Sequence, residues 1–162
     1  LELDINKVDK DHHDHFLNGA IFEVYDKKAK SYITTLASGQ LMIVGDDANE
    51  EYEISKDEDF TKIIKTVKTN ENKQIILDMD DGTYYSRKVG DDKVSKHVIK
   101  DGKAVLVDAI YGHEYEFKEI KAPTSYQLAD KSKVYKVEAD KDTDTIIYHF
   151  ENARIVVPNT GV

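Results

Sequence analysis

The sequence contains no cysteine and no tryptophan, and only 2 of its 162 residues are proline. The absence of cysteine excludes disulfides, thiol catalysis, iron–sulfur clusters and zinc ribbons. No apolar run approaches the roughly 20 residues that a membrane-spanning helix needs. Lys and Arg number 23 against 32 Asp and Glu, and a net charge of -9 disfavours nucleic acid or an anionic membrane as a partner. The composition is that of one globular domain with its own core.

Most of the chain alternates apolar and polar residues with a period of two, which is typical of half-buried β-strands. We predict strands at 1–5, 20–25, 31–36, 40–44, 74–79, 84–89, 104–109, 115–120, 134–139 and 145–150. Turn pairs such as Asn18-Gly19 and Asp101-Gly102 separate several of these segments and suit antiparallel connections. The predicted fold class is mainly β, an antiparallel β-sandwich.

One segment follows a helical period instead. Its apolar residues recur at helical spacing: Phe60, Ile63, Ile64 and Val67. Ser55 and Glu58 ahead of them form a capping-box pattern, so we predict one short helix at roughly 56–69. The stretch 46–59 holds eight acidic residues, which we interpret as a solvated loop with acids at a helix N-terminus. A calcium or other cation site is the alternative.

Three predicted strands carry a polar side chain on the row that otherwise faces the core. Along each of these strands every second side chain faces the core. Lys7 is next on the core-facing row of the first strand, Glu119 on that of the 115–120 strand and Asn152 on that of the last strand. Burial lowers the pKa of an amine and raises that of a carboxyl. A neutral Lys7 is then a nucleophile, while a protonated Glu119 can polarise the Asn152 carbonyl and relay a proton to departing ammonia. The product is a Lys–Asn amide; the alternative is an ordinary buried Lys7–Glu119 ion pair with Asn152 hydrogen-bonded beside it.

Four segments around these residues resemble the collagen-adhesin B-type (Cna-B) module of Gram-positive surface proteins and pilins. They are 3–9 (LDINKVD), 17–25 (LNGAIFEVY), 115–126 (YEFKEIKAPTSY) and 150–152 (FEN). The resemblance implies a prealbumin-like, reverse-immunoglobulin β-sandwich with adjacent first and last strands. It also implies a spontaneous isopeptide bond between Lys7 and Asn152, promoted by Glu119. Because it covers 1–36 and 104–154, we expect a single domain at 1–154 with an insertion at about 40–103.

The chain ends in a short motif that resembles the LPxTG-like signal of sortases: Val157-Pro158-Asn159-Thr160-Gly161. The resemblance implies that sortase cleaves after Thr160 and joins its carbonyl to a lysine of another pilin subunit or to peptidoglycan. We therefore expect 155–162 to be a tail, and the protein to lie on the cell wall or pilus surface of a Gram-positive bacterium. The start at Leu1 without Met indicates a piece of a longer chain, and the absence of a pilin-type Tyr-Pro-Lys motif leaves the acceptor lysine unassigned.

Two further functions remain open at this stage. The insertion at about 40–103 is a candidate adhesive or assembly surface for a host ligand. The loop 11–15 is dense in metal-ligating residues and makes His12, His13 and His15 candidate metal ligands, although the crowded spacing favours a surface loop. The sequence has no glycine-rich phosphate loop and no nucleophile elbow. We therefore expect no cofactor, and no enzymatic activity beyond a single autocatalytic turnover.

Overall fold

The computed structural model describes residues 1–138 and 142–156, which form thirteen β-strands and no helix. The strands are β1 (Glu2–Asp9), β2 (Ile21–Asp26), β3 (Ser31–Ala37), β4 (Gln40–Val44), β5 (Glu51–Ser55), β6 (Ile63–Lys68), β7 (Gln74–Asp78), β8 (Gly82–Lys88), β9 (Ser95–Ile99), β10 (Lys103–Leu106), β11 (Glu114–Lys121), β12 (Lys133–Lys136) and β13 (Thr145–Asn152). The described residues therefore contain no helix that is long and apolar enough to cross a membrane. The mainly β prediction is confirmed.

The strands form three sheets. The three-stranded sheet has the order β10-β1-β13, the six-stranded sheet β12-β11-β2-β3-β4-β7, and the four-stranded sheet β6-β5-β8-β9. All pairings are antiparallel except one, since β1 and β13 run parallel over their full length. The first and last strands are therefore neighbours, as the sequence resemblance implies.

The main core lies between the three-stranded and six-stranded sheets. Leu3 and Ile5 of β1 meet Phe22 of β2 and Phe117 of β11 there, and all four are fully buried. The ring of Phe150 on β13 packs edge-on against that of Phe22, with the ring centroids 4.9 Å apart. Alternation along these strands thus makes the sandwich, because every second side chain is removed from water.

A second apolar cluster belongs to the segment between β4 and β9. Leu41 and Ile43 of β4 pack there with Ile54, Tyr84 and three neighbouring apolar residues of the same segment, which are Ile75, Ile99 and the half-buried Tyr52. The cluster joins the paired strands β4 and β7 to the four-stranded sheet. This segment therefore has an apolar core separate from the main one.

The helix predicted at 56–69 is wrong. Residues 56–62 form a loop, and the residues that follow are strand β6, which pairs antiparallel with β5. Phe60 has a φ of 57°, in the left-handed region, which a right-handed helix excludes. Three of the six residues of β6 are β-branched Ile or Thr with exposed side chains, and a fourth is Val67. This composition fits an edge strand better than a helix.

The apparent capping box has a different use in this loop. Ser55 Oγ donates to Asp57 Oδ1 at 2.8 Å, and the same carboxylate accepts from the main-chain N–H groups of Thr61 and Lys62. A carboxylate that gathers these donors closes a loop rather than starting a helix. The sequence has the residue types of a helix start, but the hydrogen bonds run across the loop to Thr61 and Lys62.

Candidate functional site

The parallel pairing of β1 and β13 brings two of the predicted residues to one end of the sandwich. In this register Lys7 lies opposite Phe150, and Asp9 lies opposite Asn152. Both Lys7 and Asn152 are on the core-facing rows of their strands, after Ile5 and Phe150 respectively. The period-two prediction of inward-facing polar groups is therefore correct for these two strands.

Lys7 is completely buried. Its Nζ donates to the main-chain oxygen of Phe150 at 2.9 Å and lies 5.2 Å from the centroid of the Phe150 ring. Burial lowers the pKa of Lys7 to about 8, although the negative charges of Glu119, Glu151 and Asp9 act in the opposite direction. A substantial fraction of this amine is therefore neutral near physiological pH, which is the nucleophilic form.

Glu119 and Asn152 are each about 2% exposed and are in direct contact. Asn152 Nδ2 donates to Glu119 Oε1 at 2.6 Å. The register between β11 and β2 shifts between Glu119 and Lys121, so a β-bulge follows directly after the carboxyl. Bulges re-aim side chains, and here the alternation that turns Tyr115, Phe117 and Glu119 inward ends at this point.

The main chain of the segment after β11 completes the surroundings of this pair. Asn152 Nδ2 makes a second hydrogen bond, to the carbonyl oxygen of Gln127 at 2.8 Å. The N–H of Ala129 donates to Glu119 Oε1 at 3.0 Å. Residues 127–129 therefore hold both the amide and the carboxyl, and sequence reasoning did not identify them because main-chain groups leave no residue-type signal.

Two buried oxygens at the site have no hydrogen-bond partner among the described residues: Glu119 Oε2 and Asn152 Oδ1. An unpaired buried polar atom is costly, so its persistence calls for a reason. Among the described residues, Lys7 and Glu119 do not form an ion pair with each other, and neither takes part in any other ion pair. The arrangement is a buried amine beside the last strand and an amide whose nitrogen, the group that would leave, touches a carboxyl.

A second group of polar residues lies next to the site and was missed at the sequence level. Asp9 Oδ2 accepts from the Tyr126 hydroxyl at 2.7 Å and from Arg154 Nε at 3.2 Å. The hydrogen bond from Tyr126 is the largest of the effects that hold the pKa of Asp9 low, at about 2. Asp9 continues the inward row that contains Lys7, so extending the period by one step could have found it, whereas Arg154 is mostly exposed.

The histidine loop gives no metal centre in the described part of the chain, where no group of three or more His, Asp or Glu side chains is arranged to hold an ion. His13 Nε2 lies 3.0 Å from Glu151 Oε1, and the His12 N–H donates to Asp9. His15 contributes main-chain bonds to the same loop. The sortase-type motif from Val157 to Gly161 lies outside the described residues.

Three of the solved structures that this chain is similar to are pilus proteins, each less than 25% identical to it. The minor pilin GBS52 of Streptococcus agalactiae is 20% identical over 99% of this chain and 47% of its own, with a TM-score of 0.39. The pilus 2b backbone protein of group B streptococcus is 18% identical over 94% of this chain and 40% of its own, with a TM-score of 0.37. Domains D2 and D3 of the major pilin SpaD of Corynebacterium diphtheriae are 16% identical over 94% of this chain and 46% of theirs, with a TM-score of 0.37.

This chain therefore spans less than half the length of those three structures. No curated protein matches it significantly. A family model, described as the SpaA prealbumin-like fold domain, matches residues 2–154, which includes every strand of the three sheets. The prealbumin-like fold that the sequence resemblance implies is thus confirmed, and the chain belongs to the SpaA family of prealbumin-like fold domains.

Proposed function

We propose that this chain is a structural domain of a pilin or of a wall-anchored surface adhesin, and that it cross-links itself through an isopeptide bond between Lys7 and Asn152. The observation that carries the proposal is the buried contact of Asn152 Nδ2 with Glu119 Oε1, on a strand that also receives the Lys7 amine. Membership of a family of prealbumin-like domains and the similarity to pilus proteins agree with it.

The reaction is an amide exchange. The neutral Nζ of Lys7 attacks Cγ of Asn152, so that an Nζ–Cγ bond forms and the Cγ–Nδ2 bond breaks. One proton moves from Nζ to Nδ2, and ammonia leaves. Glu119 is the relay for this proton, because its Oε1 lies against the nitrogen that departs. The ring of Phe150 lies over the amine, and the complete burial of Lys7 favours its neutral form.

The position of the bond explains its mechanical use. Lys7 lies on the first strand and Asn152 on the last, and these two strands are neighbours. A bond between them lets tension pass from one end of the domain to the other through covalent bonds, without stretching the sandwich. In the chain-entropy model, a cross-link that closes a loop of more than 100 residues restrains the unfolded state by about 5 kcal/mol. It does so without cysteine, which the sequence lacks.

We further propose that residues 1–154 are one module with an insertion at about 40–103, and that 155–162 is a tail carrying the sortase signal. The separate apolar cluster around Ile54 and Tyr84 supports the insertion. Sortase is then the partner that joins Thr160 to another pilin subunit or to peptidoglycan, outside a Gram-positive cell. Incubating the chain with a sortase and an amine nucleophile should release Gly161-Val162, and Thr160→Ala should abolish the release.

Digestion with trypsin tests the cross-link at the level of residues. Without the bond, cleavage follows Lys7 and Arg154 and gives separate linear peptides. With the bond, Lys7 resists cleavage and a branched peptide joins residues 1–10 to 142–154. Mass spectrometry should find this branched peptide in the wild type and not in Glu119→Ala. Recovery of only linear peptides from fully digested wild-type protein would refute the proposed function.

A further inference from the structure

The six-stranded sheet is split between β3 and β4. These strands are neighbours in the sheet, yet they pair only at Ala37 and Gln40, next to the hairpin turn. Strand β4 instead pairs along its whole length with β7, and β3 pairs along its length with β2. Over residues 31–36, one edge of β3 therefore has no main-chain partner in the described parts of the chain.

A cleft of about 1130 Å³ lies at this split. Residues of β3 and β4 line it together with residues of β8, β9 and the segment around β10. Large apolar side chains on its rim are unusually open to water, since Tyr32 is 70% exposed, Val44 54% and Ile110 52%. An apolar rim beside an unpaired strand edge is a feature of peptide-binding grooves, where main-chain hydrogen bonds supply affinity.

The free edge of β3 lacks the protection that other edges of this protein have. Residues 31–36 (SYITTL) contain no charge and no proline, and three of the six are β-branched. The outer strands β6 and β12 each carry two lysines, and β9 carries Lys96. Lysines on an edge prevent pairing with foreign strands. Strands β7 and β13 also end their sheets without a lysine, but of these three strands only β3 lines the cleft.

We propose that this cleft binds an extended, uncharged segment of a partner polypeptide, which adds to β3 as a strand. A six-residue strand is about 20 Å long, which matches the free edge from Ser31 to Leu36. The lining contains five acidic and five basic residues, so the cleft has no net charge although the chain carries -9. This balance suits a neutral segment better than a strongly acidic or basic one.

The shape of the cleft argues for a single strand rather than a second folded copy of this chain. The β3 edge lines this cleft together with residues of β4, β8 and β9, so the same edge of a second copy is recessed in its own cleft. Two recessed edges cannot approach to the roughly 4.8 Å that strand pairing requires. The proposed binding site is independent of the isopeptide bond, because it uses the edge of β3 that faces away from β2.

A peptide-display selection against the whole chain tests the proposal. We expect enrichment of uncharged sequences that alternate β-branched or aromatic residues. A selected peptide, synthesised with capped ends, should slow hydrogen exchange at residues 31–36, and N-methylation of alternate peptide nitrogens should abolish binding. Failure to enrich any sequence, protection of another segment, or undiminished binding of the N-methylated peptide would each overturn the proposal.

A matched pair of variants locates the site. Thr34 and Thr66 are both exposed threonines on strands with a free edge, but only Thr34 lines the cleft. Thr34→Lys should weaken binding of the selected peptide by at least about tenfold, and Thr66→Lys should leave it within about twofold. Equal affinities for the two variants would contradict the assignment.

Concentration-dependent dimerisation of the chain without peptide, with protection at 31–36, would show that a second copy is the occupant and would also overturn the proposal.

Discussion

The side-chain nitrogen of Asn152 lies 2.6 Å from the carboxyl of Glu119, and both side chains are shielded from water. Asn152 is on the last strand, Glu119 is on β11, and the Lys7 amine approaches from the first strand. Three distant parts of the sequence thus place buried polar side chains at this site: Asn152 contacts Glu119, and Lys7 bonds to the main chain of the last strand.

Glu119→Ala should prevent the bond and lower the free energy of unfolding by about 5 kcal/mol, because the unfolded chain loses its cross-link. Guanidinium denaturation followed by circular dichroism measures the difference. Glu116→Ala is the matched control, since Glu116 is on the same strand but reaches the exposed Ser132 hydroxyl rather than the core. That control should change the stability by less than about 0.5 kcal/mol. Similar unfolding curves for both variants would count against a covalent role for Glu119.

Lys7 makes the stability of an uncross-linked variant depend on pH. Burial lowers the pKa of Lys7 to about 8 in the folded chain, below its ordinary value of 10.5, and Asn152→Ala should leave this amine buried and uncross-linked. The penalty for burying the charge is complete below pH 8 and disappears as the pH rises towards 10.5. The free energy of unfolding should therefore rise by about 3 kcal/mol across this window.

The control for this pH dependence is the double variant Lys7→Met, Asn152→Ala, in which the rise should be absent. Urea denaturation at a series of pH values compares the two proteins. A parallel pH profile for both would mean that Lys7 keeps an ordinary pKa in the folded state.

Tyr126→Phe removes the hydroxyl that Asp9 Oδ2 accepts at 2.7 Å. Because this hydrogen bond is the main reason for the low pKa of Asp9, that pKa should rise from about 2 towards 3.8. Asp9 contributes stability that is complete above pH 3.8 and is lost as the pH falls through its folded pKa. The variant should therefore have less of this stability at neutral pH, and should finish losing it at a higher pH than the wild type. NMR titration of the Asp9 carboxyl measures the shift. Tyr111→Phe, at an exposed tyrosine, should leave the Asp9 titration unchanged.

Asp57→Ala should loosen the loop that replaces the predicted helix. Its carboxylate accepts hydrogen bonds from Ser55, Thr61 and Lys62, and no other side chain of the loop makes this set. Amide hydrogen exchange at 61–68 should accelerate in this variant. Asp59→Ala, at an exposed neighbour, is the control and should leave the exchange unchanged. Unaltered protection in both would mean that β6 is held by its pairing with β5 alone.

Much of the fold could be predicted because alternation is a local signal. The ten predicted strands all correspond to observed ones, and the inward direction of Lys7, Glu119 and Asn152 follows from the same period. Strands β5 and β9 were missed because each is short and rich in polar residues, which hides the alternation of Tyr52 with Ile54. The sequence predicts a helix in place of strand β6 because Ile63 and Val67, four residues apart, fit both periods.

The contacts that complete the candidate site could not be predicted in the same way. The Gln127 carbonyl and the Ala129 N–H are main-chain groups, so any residue type could supply the first and any except proline the second. The split between β3 and β4 depends on where β4 pairs, and that pairing is with β7, more than 30 residues away. Such choices depend on competition between distant segments, which a local pattern does not contain.

The most direct test of the central claim is the intact mass of the denatured wild-type chain, with Glu119→Ala measured beside it. Formation of the Lys7–Asn152 bond releases one ammonia, so the wild type should weigh about 17 Da less than its sequence requires, and the variant should show no deficit beyond its substitution. A wild-type mass equal to the sequence mass would contradict the account.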